Sequence, residues 1–303
     1  MRKTVLAGFA LCLSVICHAA LPTVTSVEKV TMPDNMTAGM AVLSPDGSYA
    51  VVSPLSGNGL SCLNLNSGKA FEISKNGSAM SLEITPDGTD VIYRESTYDN
   101  DHRRFVSLKS YNINTGKETV LVNKSRNLNG FSVDGNEVVA VENGVKKASK
   151  LNTTSGNAVG RPTLSIQYGK LFVTAPNGVT SEIRPLGNKC NSYLWPSVSP
   201  DGTKILAFGV GTGAFVCDLA GNNVQLLGMF RAPVWFNNQT VIAMDDYDNG
   251  VVTTQSTLMA ISADGKEKAA LTDNNVVAVF PSVAQNKVAF TTPEGELYIV
   301  NLK

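Results

Sequence analysis

One phrase recurs along this chain at a spacing that leaves few folds open to it. Leu43-Ser44-Pro45-Asp46-Gly47, Ile84-Thr85-Pro86-Asp87-Gly88, Phe131-Ser132-Val133-Asp134-Gly135 and Val198-Ser199-Pro200-Asp201-Gly202 are four versions of it. Each runs into a short apolar stretch, at residues 49–52, 91–93, 138–141 and 205–208. The residue types are those of a hairpin turn. Proline presets the backbone, aspartate bonds neighbouring amides, and glycine takes the positive φ that side chains resist. Degenerate versions stand at Gln167-Tyr168-Gly169, Phe236-Asn237-Asn238-Gln239 and Ala284-Gln285-Asn286, so that seven turns follow one another at steps of 33 to 48 residues.

A second signature completes the unit. Residues 62–66 run into Ser67-Gly68, 110–114 into Thr115-Gly116 and 258–262 into Asp264-Gly265, each followed by one more short strand-like run. Four short strands per forty residues, with no amphipathic helical stretch between them, is the pattern of a β-propeller blade. The expected fold is therefore all-β, a propeller of about seven four-stranded blades, or six if the short third and fourth units fuse. The last unit holds three strands, at 280–283, 287–291 and 296–302. Residues 27–31, Val-Glu-Lys-Val-Thr, resemble the strand that ends the sixth unit and are expected to supply the missing outer strand, closing the ring.

With 303 residues and 43% hydrophobic content, the chain has ample apolar surface for such a structure. Arg2 and Lys3, an apolar run over residues 5–16 and small residues to Ala20 form a secretory signal over residues 1–20, too short to span a bilayer as a stable helix. A lipoprotein signal fits less well, because Leu11 and Ile16 stand before Cys12 and Cys17 where a small residue is expected. Residues 21–303 then form a single propeller domain with no transmembrane segment, in the periplasm or outside the cell. The 25 basic residues match 25 acidic ones, which excludes a surface built to neutralise nucleic-acid phosphates. Cys62, Cys190 and Cys217 remain after signal removal. Either Cys190 and Cys217, which flank one repeat unit, pair as a disulfide, or all three are buried as small hydrophobes.

Catalytic constellations are hard to find. Beyond the signal there is one histidine, His102, and no Gly-x-Ser-x-Gly elbow. Familiar zinc spacings are absent as well. Acidic loops remain, Tyr98-Asp99-Asn100-Asp101-His102-Arg103 and Asp245-Asp246-Tyr247-Asp248-Asn249-Gly250, in equivalent places of the second and sixth units. Asp99, Asp101, Asp246 and Asp248 are weak candidates for a Ca²⁺ site, the only cofactor the sequence allows for, and neither loop follows the twelve-residue calcium pattern. As recognition loops, Arg94, Tyr98, Asp99, Asp101, His102 and Arg103 form one candidate binding patch and Asp246, Tyr247 and Asp248 another. Trp195 and Trp235 are expected to pack between blades.

The Ser-Pro-Asp-Gly turn, its following strand and the Leu63-Asn64-Leu65-Asn66-Ser67-Gly68 type of outer hairpin resemble the TolB-like, or WD40-like (PD40-type), propeller repeat. The resemblance implies a non-catalytic scaffold that binds a protein partner in the cell envelope. The other readings are a carbohydrate-active or metal-assisted, lyase-like enzyme and a sensor that takes a small ligand or glycan in the channel. TolB-type proteins carry an additional α/β domain ahead of the ring, for which about twenty residues between the signal and the first blade leave no room.

Overall fold

The recurrent turn is closed by its own side chains. In the first blade Ser44 Oγ donates to Asp46 Oδ1 at 2.6 Å, and the same oxygen accepts the Ser48 amide at 3.0 Å while Gly47 sits at φ 67°. Thr85, Asp87 and Thr89 repeat this arrangement around Gly88, as do Ser199, Asp201 and Thr203 around Gly202. A carboxylate that caps two donors fixes the reversal, and the apolar runs on either side pair as antiparallel strands.

A computed structural model describes residues 20–303. The expected signal segment, with Arg2, Lys3, Cys12 and Cys17, lies outside the described residues. Seven separate antiparallel sheets surround a central axis, each a meander whose first strand is innermost. Blade 1 is Met40–Leu43, Tyr49–Ser53, Leu60–Asn64 and Ala70–Ser74; blade 2 is Gly77–Ile84, Asp90–Tyr98, Arg104–Asn112 and Glu118–Ser125. Blade 3 is Leu128–Asp134, Glu137–Glu142 and Val145–Lys150; blade 4 is Thr163–Gln167, Lys170–Thr174 and Thr180–Ile183. Blade 5 is Tyr193–Val198, Lys204–Gly209, Gly213–Asp218 and Gln225–Gly228; blade 6 is Arg231–Trp235, Thr240–Asp248, Thr253–Ser262 and Lys268–Ala270. Blade 7 is Val279–Ala284, Lys287–Thr291 and Leu297–Leu302, with Val24–Lys29 as its outermost strand. The ring is thus seven-bladed, and the short third and fourth units stay apart as sheets of three strands.

The closing strand begins three residues earlier than the sequence pattern placed it, pairing Val27 with Val300 and Lys29 with Tyr298. Val30 still donates its amide to Leu297 O at 2.8 Å, and the side chains of Val30 and Met32 pack into the apolar seam between blades 7 and 1. Six such clusters lie mostly between neighbouring blades, with Phe290, Phe215 and Tyr93 among the largest fully buried side chains. Trp195 packs edge-on against Phe208, and Trp235, which ends its strand, packs into the seam between blades 5 and 6.

Three strands in blade 3 have a topological consequence. Its last strand, Val145–Lys150, ends on the rim where the Pro-Asp-Gly turns lie, called here the lower rim, and residues 151–162 stay there. Asp87 accepts the Thr154 amide at 2.8 Å, Asp134 accepts the amides of Gly160 and Arg161 at 2.8 and 2.9 Å, and Arg161 donates to the Pro200 carbonyl. Blade 4 therefore starts from the lower rim, and its inner strand runs antiparallel to that of blade 3. Gly130 faces Leu164 and Ser165, Ser132 bonds Thr163, and Asp134 bonds Gly160, so numbers rise on one strand as they fall on the other. The Tyr168-Gly169 turn lands on the upper rim, where Gly169 O accepts the Tyr193 amide at 2.9 Å. Three strands in blade 4 restore the ordinary direction in blade 5.

All three cysteines are free and buried. The candidate Cys190–Cys217 bridge is not formed. Cys190 Sγ lies against Gly209 and donates to Ser192 O at 3.0 Å, whereas Cys217 pairs with Ile205, four residues and about 13 Å farther along the same strand. Burial pushes the Cys62 thiol up to about 11 and that of Cys217 to about 12, keeping both protonated and inert.

Candidate binding face on the upper rim

Hairpins between the second and third strands project from the upper rim in every blade of ordinary direction. In blade 1 these strands have five residues each; in blade 2 both have nine, and in blade 6 nine and ten. Four extra residues extend a strand by about 13 Å. Two hairpins thus stand above the ring, three blades apart on one side and four on the other, almost facing each other across the channel.

The tip of the blade 2 hairpin is held by its acids. Asp99 Oδ1 accepts the amides of Asp101 and Arg103 at 3.0 and 2.9 Å, and Arg103 Nε donates to Asp99 Oδ2 at 2.8 Å. A second Arg103 nitrogen donates to Asp101 Oδ2 at 2.5 Å, while His102 occupies the left-handed position of the turn at φ 58°. Those amide bonds hold the Asp99 carboxyl below its ordinary range. In the blade 6 hairpin, Arg231 Nη1 lies 2.8 Å from Asp246 Oδ2 and 3.0 Å from Asp248 Oδ2. The four calcium candidates are therefore engaged in pairs with an arginine, and among the described residues no group of three or more His, Cys, Asp or Glu side chains converges as a metal site would require. One oxygen is left over. Asp246 Oδ1 is buried with no hydrogen-bond partner, and burial raises the Asp246 carboxyl despite Arg231.

Alongside exposed charged groups such as Asp101 and Arg103, which are paired with each other, the rim exposes large aromatic side chains. Tyr98 is 66% exposed, Tyr247 68% and Tyr168 99%. The first two were candidates from sequence; Tyr168 was missed, because its turn reads as one more lower-rim turn. The signal that places it correctly is the absence of a fourth strand-like run in residues 151–162, which reverses the blade that follows. Apolar Val251 and Val252 flank Tyr247 at the tip of the blade 6 hairpin. A separate recess of about 290 Å³ at the edge of blade 1 is lined by Met36, Pro54, Leu60, Glu72 and Lys75 and includes none of these tyrosines.

Near the axis, the inner strands of blades 5, 6 and 7 each slip register by one residue at a residue–proline pair: Trp195-Pro196, Ala232-Pro233 and Phe280-Pro281, with φ between 46° and 53° at the first of each. Proline cannot donate to the ladder, so it marks the bulge. Blade 2 carries a charge instead. Glu83 Oε2 accepts the Val133 amide of blade 3 at 2.8 Å, and burial pushes its carboxyl up to about 7 although that amide, Arg161 and Arg94 all favour ionisation. A carboxyl whose folded value lies above its unfolded value binds a proton more tightly when folded, so its contribution to stability declines as pH rises from the ordinary glutamate range to about 7 and is level above that. Glu83→Gln is expected to flatten this decline and to raise stability at pH 8 by on the order of 1–2 kcal/mol, tempered by the partial opening of the side chain to the channel. Denaturant melts of both proteins between pH 5 and 8 measure it; parallel curves would refute the assignment.

The fold has wide company. A chain from the crystal structure of a mitotic checkpoint complex superposes with a TM-score of 0.61 at 8% identity, covering 99% of each chain. Virginiamycin B lyase from Staphylococcus aureus matches at 0.58 and 11% identity over 92% of this chain and 99% of that one, and the β-propeller domain of Myceliophteria thermophila Cps50 (Swd1) at 0.58 and 9% over 93% and 100%. At these identities the likeness is one of fold alone. No family model and no curated protein matches the sequence.

Proposed function

We propose that this chain is a non-catalytic, TolB-like propeller that binds a protein partner through its upper rim, in the periplasm or outside the cell. One observation carries the reading: three tyrosines from blades 2, 4 and 6 stand exposed on the same rim, two raised on over-long hairpins and one delivered by the reversed blade. Tyrosine supplies large contact area with little side-chain entropy to lose and is enriched where interfaces are strongest. The Ser-Pro-Asp-Gly turns support the TolB-like assignment, and the basic start followed by an apolar run supports the location.

The test is affinity capture after crosslinking in cells, with wild type and a Tyr98→Ala/Tyr168→Ala/Tyr247→Ala variant as baits recovered from the periplasmic fraction. A specific partner is expected with wild type, at a yield roughly tenfold higher than with the variant. Equal recovery by both baits, or none above background by either, defeats the proposal.

A further inference from the structure

In the blades of ordinary direction the fifth residue of the second strand faces the following blade. In blades 1, 6 and 7 it ties down a backbone group of the next inner strand: Ser53 Oγ accepts the Ala79 amide at 2.7 Å, Met244 Sδ accepts the Phe280 amide at 3.2 Å, and Thr291 Oγ1 donates to Gly39 O at 3.2 Å. Blades 3 and 5 place Val141 and Phe208 there, and in the reversed blade 4 the fifth residue, Thr174, bonds Thr180 on the face toward blade 3. Blade 2 alone has a charge at this position, Arg94.

Arg94 does none of the work of its counterparts. Its guanidinium carbon lies 5.4 Å from the centre of the Phe131 ring of blade 3, and its Nε is buried with no hydrogen-bond partner. A second cation stands beside it. Arg104, across the hairpin, reaches Ser96 Oγ at 3.1 Å, and Ser96 is on the same face of the strand as Arg94. Among the described residues neither arginine has a carboxylate within ion-pair distance, whereas Arg103 and Arg231 each hold two. Burial first, and then Arg104, pull the Arg94 guanidinium below its ordinary value, with Glu83 opposing from farther off. A half-buried cation with an orphaned donor and a like charge for a neighbour is costly unless an anion completes it.

We propose that Arg94 and Arg104, over the Phe131 ring, form a seat between blades 2 and 3 for one carboxylate of an acidic segment on the protein partner, a refinement that rests on the upper rim being the binding face. A guanidinium is the side chain suited to a carboxylate, and an aromatic floor beneath it excludes water from the pair. The chain's overall balance of 25 bases and 25 acids fits a single carboxylate seat and not a track for a dense polyanion.

The decisive variant is Arg94→Met, which installs the residue that blade 6 uses at the same position. The full chain is titrated against a fluorescein-labelled tetraglutamate peptide by anisotropy, with a tetraglutamine peptide and inorganic phosphate as further arms. Wild type is expected to bind tetraglutamate and not tetraglutamine, and Arg94→Met to weaken that binding roughly tenfold or more while its melting temperature stays level or rises. Unchanged tetraglutamate binding by Arg94→Met overturns the proposal, as does equal binding of the two peptides, or binding of phosphate without binding of tetraglutamate. The triple tyrosine variant separates the two claims. If Arg94→Met captures the partner as wild type does while the tyrosine variant does not, the rim stands as the binding face and the carboxylate seat is refuted.

Discussion

Deleting residues 21–29 is expected to lower the stability of the ring by on the order of 5 kcal/mol and to turn a single unfolding transition into a broad one. The closing strand contributes almost nothing by apolar burial, since five of its six residues are exposed. Its hold is the backbone ladder to Leu297–Leu302, extended by reciprocal amide bonds between Thr23 and Lys303 at 3.0 Å and by Lys29 Nζ on Glu296 Oε1 at 2.5 Å. Each backbone bond contributes about 1 kcal/mol net, and losing the whole set also exposes a sheet edge that invites pairing with another chain. Leu21, which packs on the seam of blades 6 and 7, goes as well. Urea unfolding followed by circular dichroism measures the loss, and size-exclusion chromatography the association. A synthetic peptide of residues 21–31 added in trans should restore the sharp transition. A deletion variant as stable and monomeric as wild type would show that the ring is closed by side-chain packing instead.

The second large effect is expected at the antiparallel seam. A Cβ on Gly130 would lie 2.4 Å from Leu164 O and 2.9 Å from Ser165 Cβ. The first of these is a backbone atom of an inner strand and cannot swing aside. Gly130→Val therefore forces blades 3 and 4 apart and should cost about 3 kcal/mol, a fall in melting temperature of roughly 5–10 °C. Gly144 in the same blade is the control: a Cβ there meets nothing within 4 Å, so Gly144→Ala bears only the strain of φ 75°, about 1 kcal/mol. Scanning calorimetry on both variants compares them. Equal, small shifts would mean that the two inner strands are not in the close contact described.

The pattern of residues located the blades well because its signals are local. Ser44, Asp46 and Gly47 satisfy one another within five positions, so the turn is fixed wherever the phrase occurs. The blade 3 copy shows the limit of such reading. Asp134 and Gly135 match the phrase, but Asp134 pairs directly with Glu137 across a tighter turn, and its carboxylate is given over to residues 159–161. Nothing within the phrase announces that. Likewise Asp99, Asp101, Asp246 and Asp248 were legible as acidic loops, and Arg103 lies within the first of them, but the partner of Asp246 and Asp248 was not legible: Arg231 stands fifteen and seventeen residues from the acids it holds. The peculiarity of Arg94 emerges only once the second strands are aligned by register, since a lone arginine beside a tyrosine-rich loop reads as one more surface charge.

Periodicity and turn chemistry were enough to define a propeller and the strand that closes it, because each rests on interactions among residues a few positions apart or on an edge that must be covered; that the short third and fourth units stay separate, making seven blades, was decided by the sheets themselves. Which rim a given turn reaches depends on whether the sheets before it hold an odd or even number of strands, and which charge meets which depends on strands brought together from distant parts of the chain. Only the assembled ring settles those, and they place Tyr168 on the same rim as Tyr98 and Tyr247 and leave Arg94 without an anion.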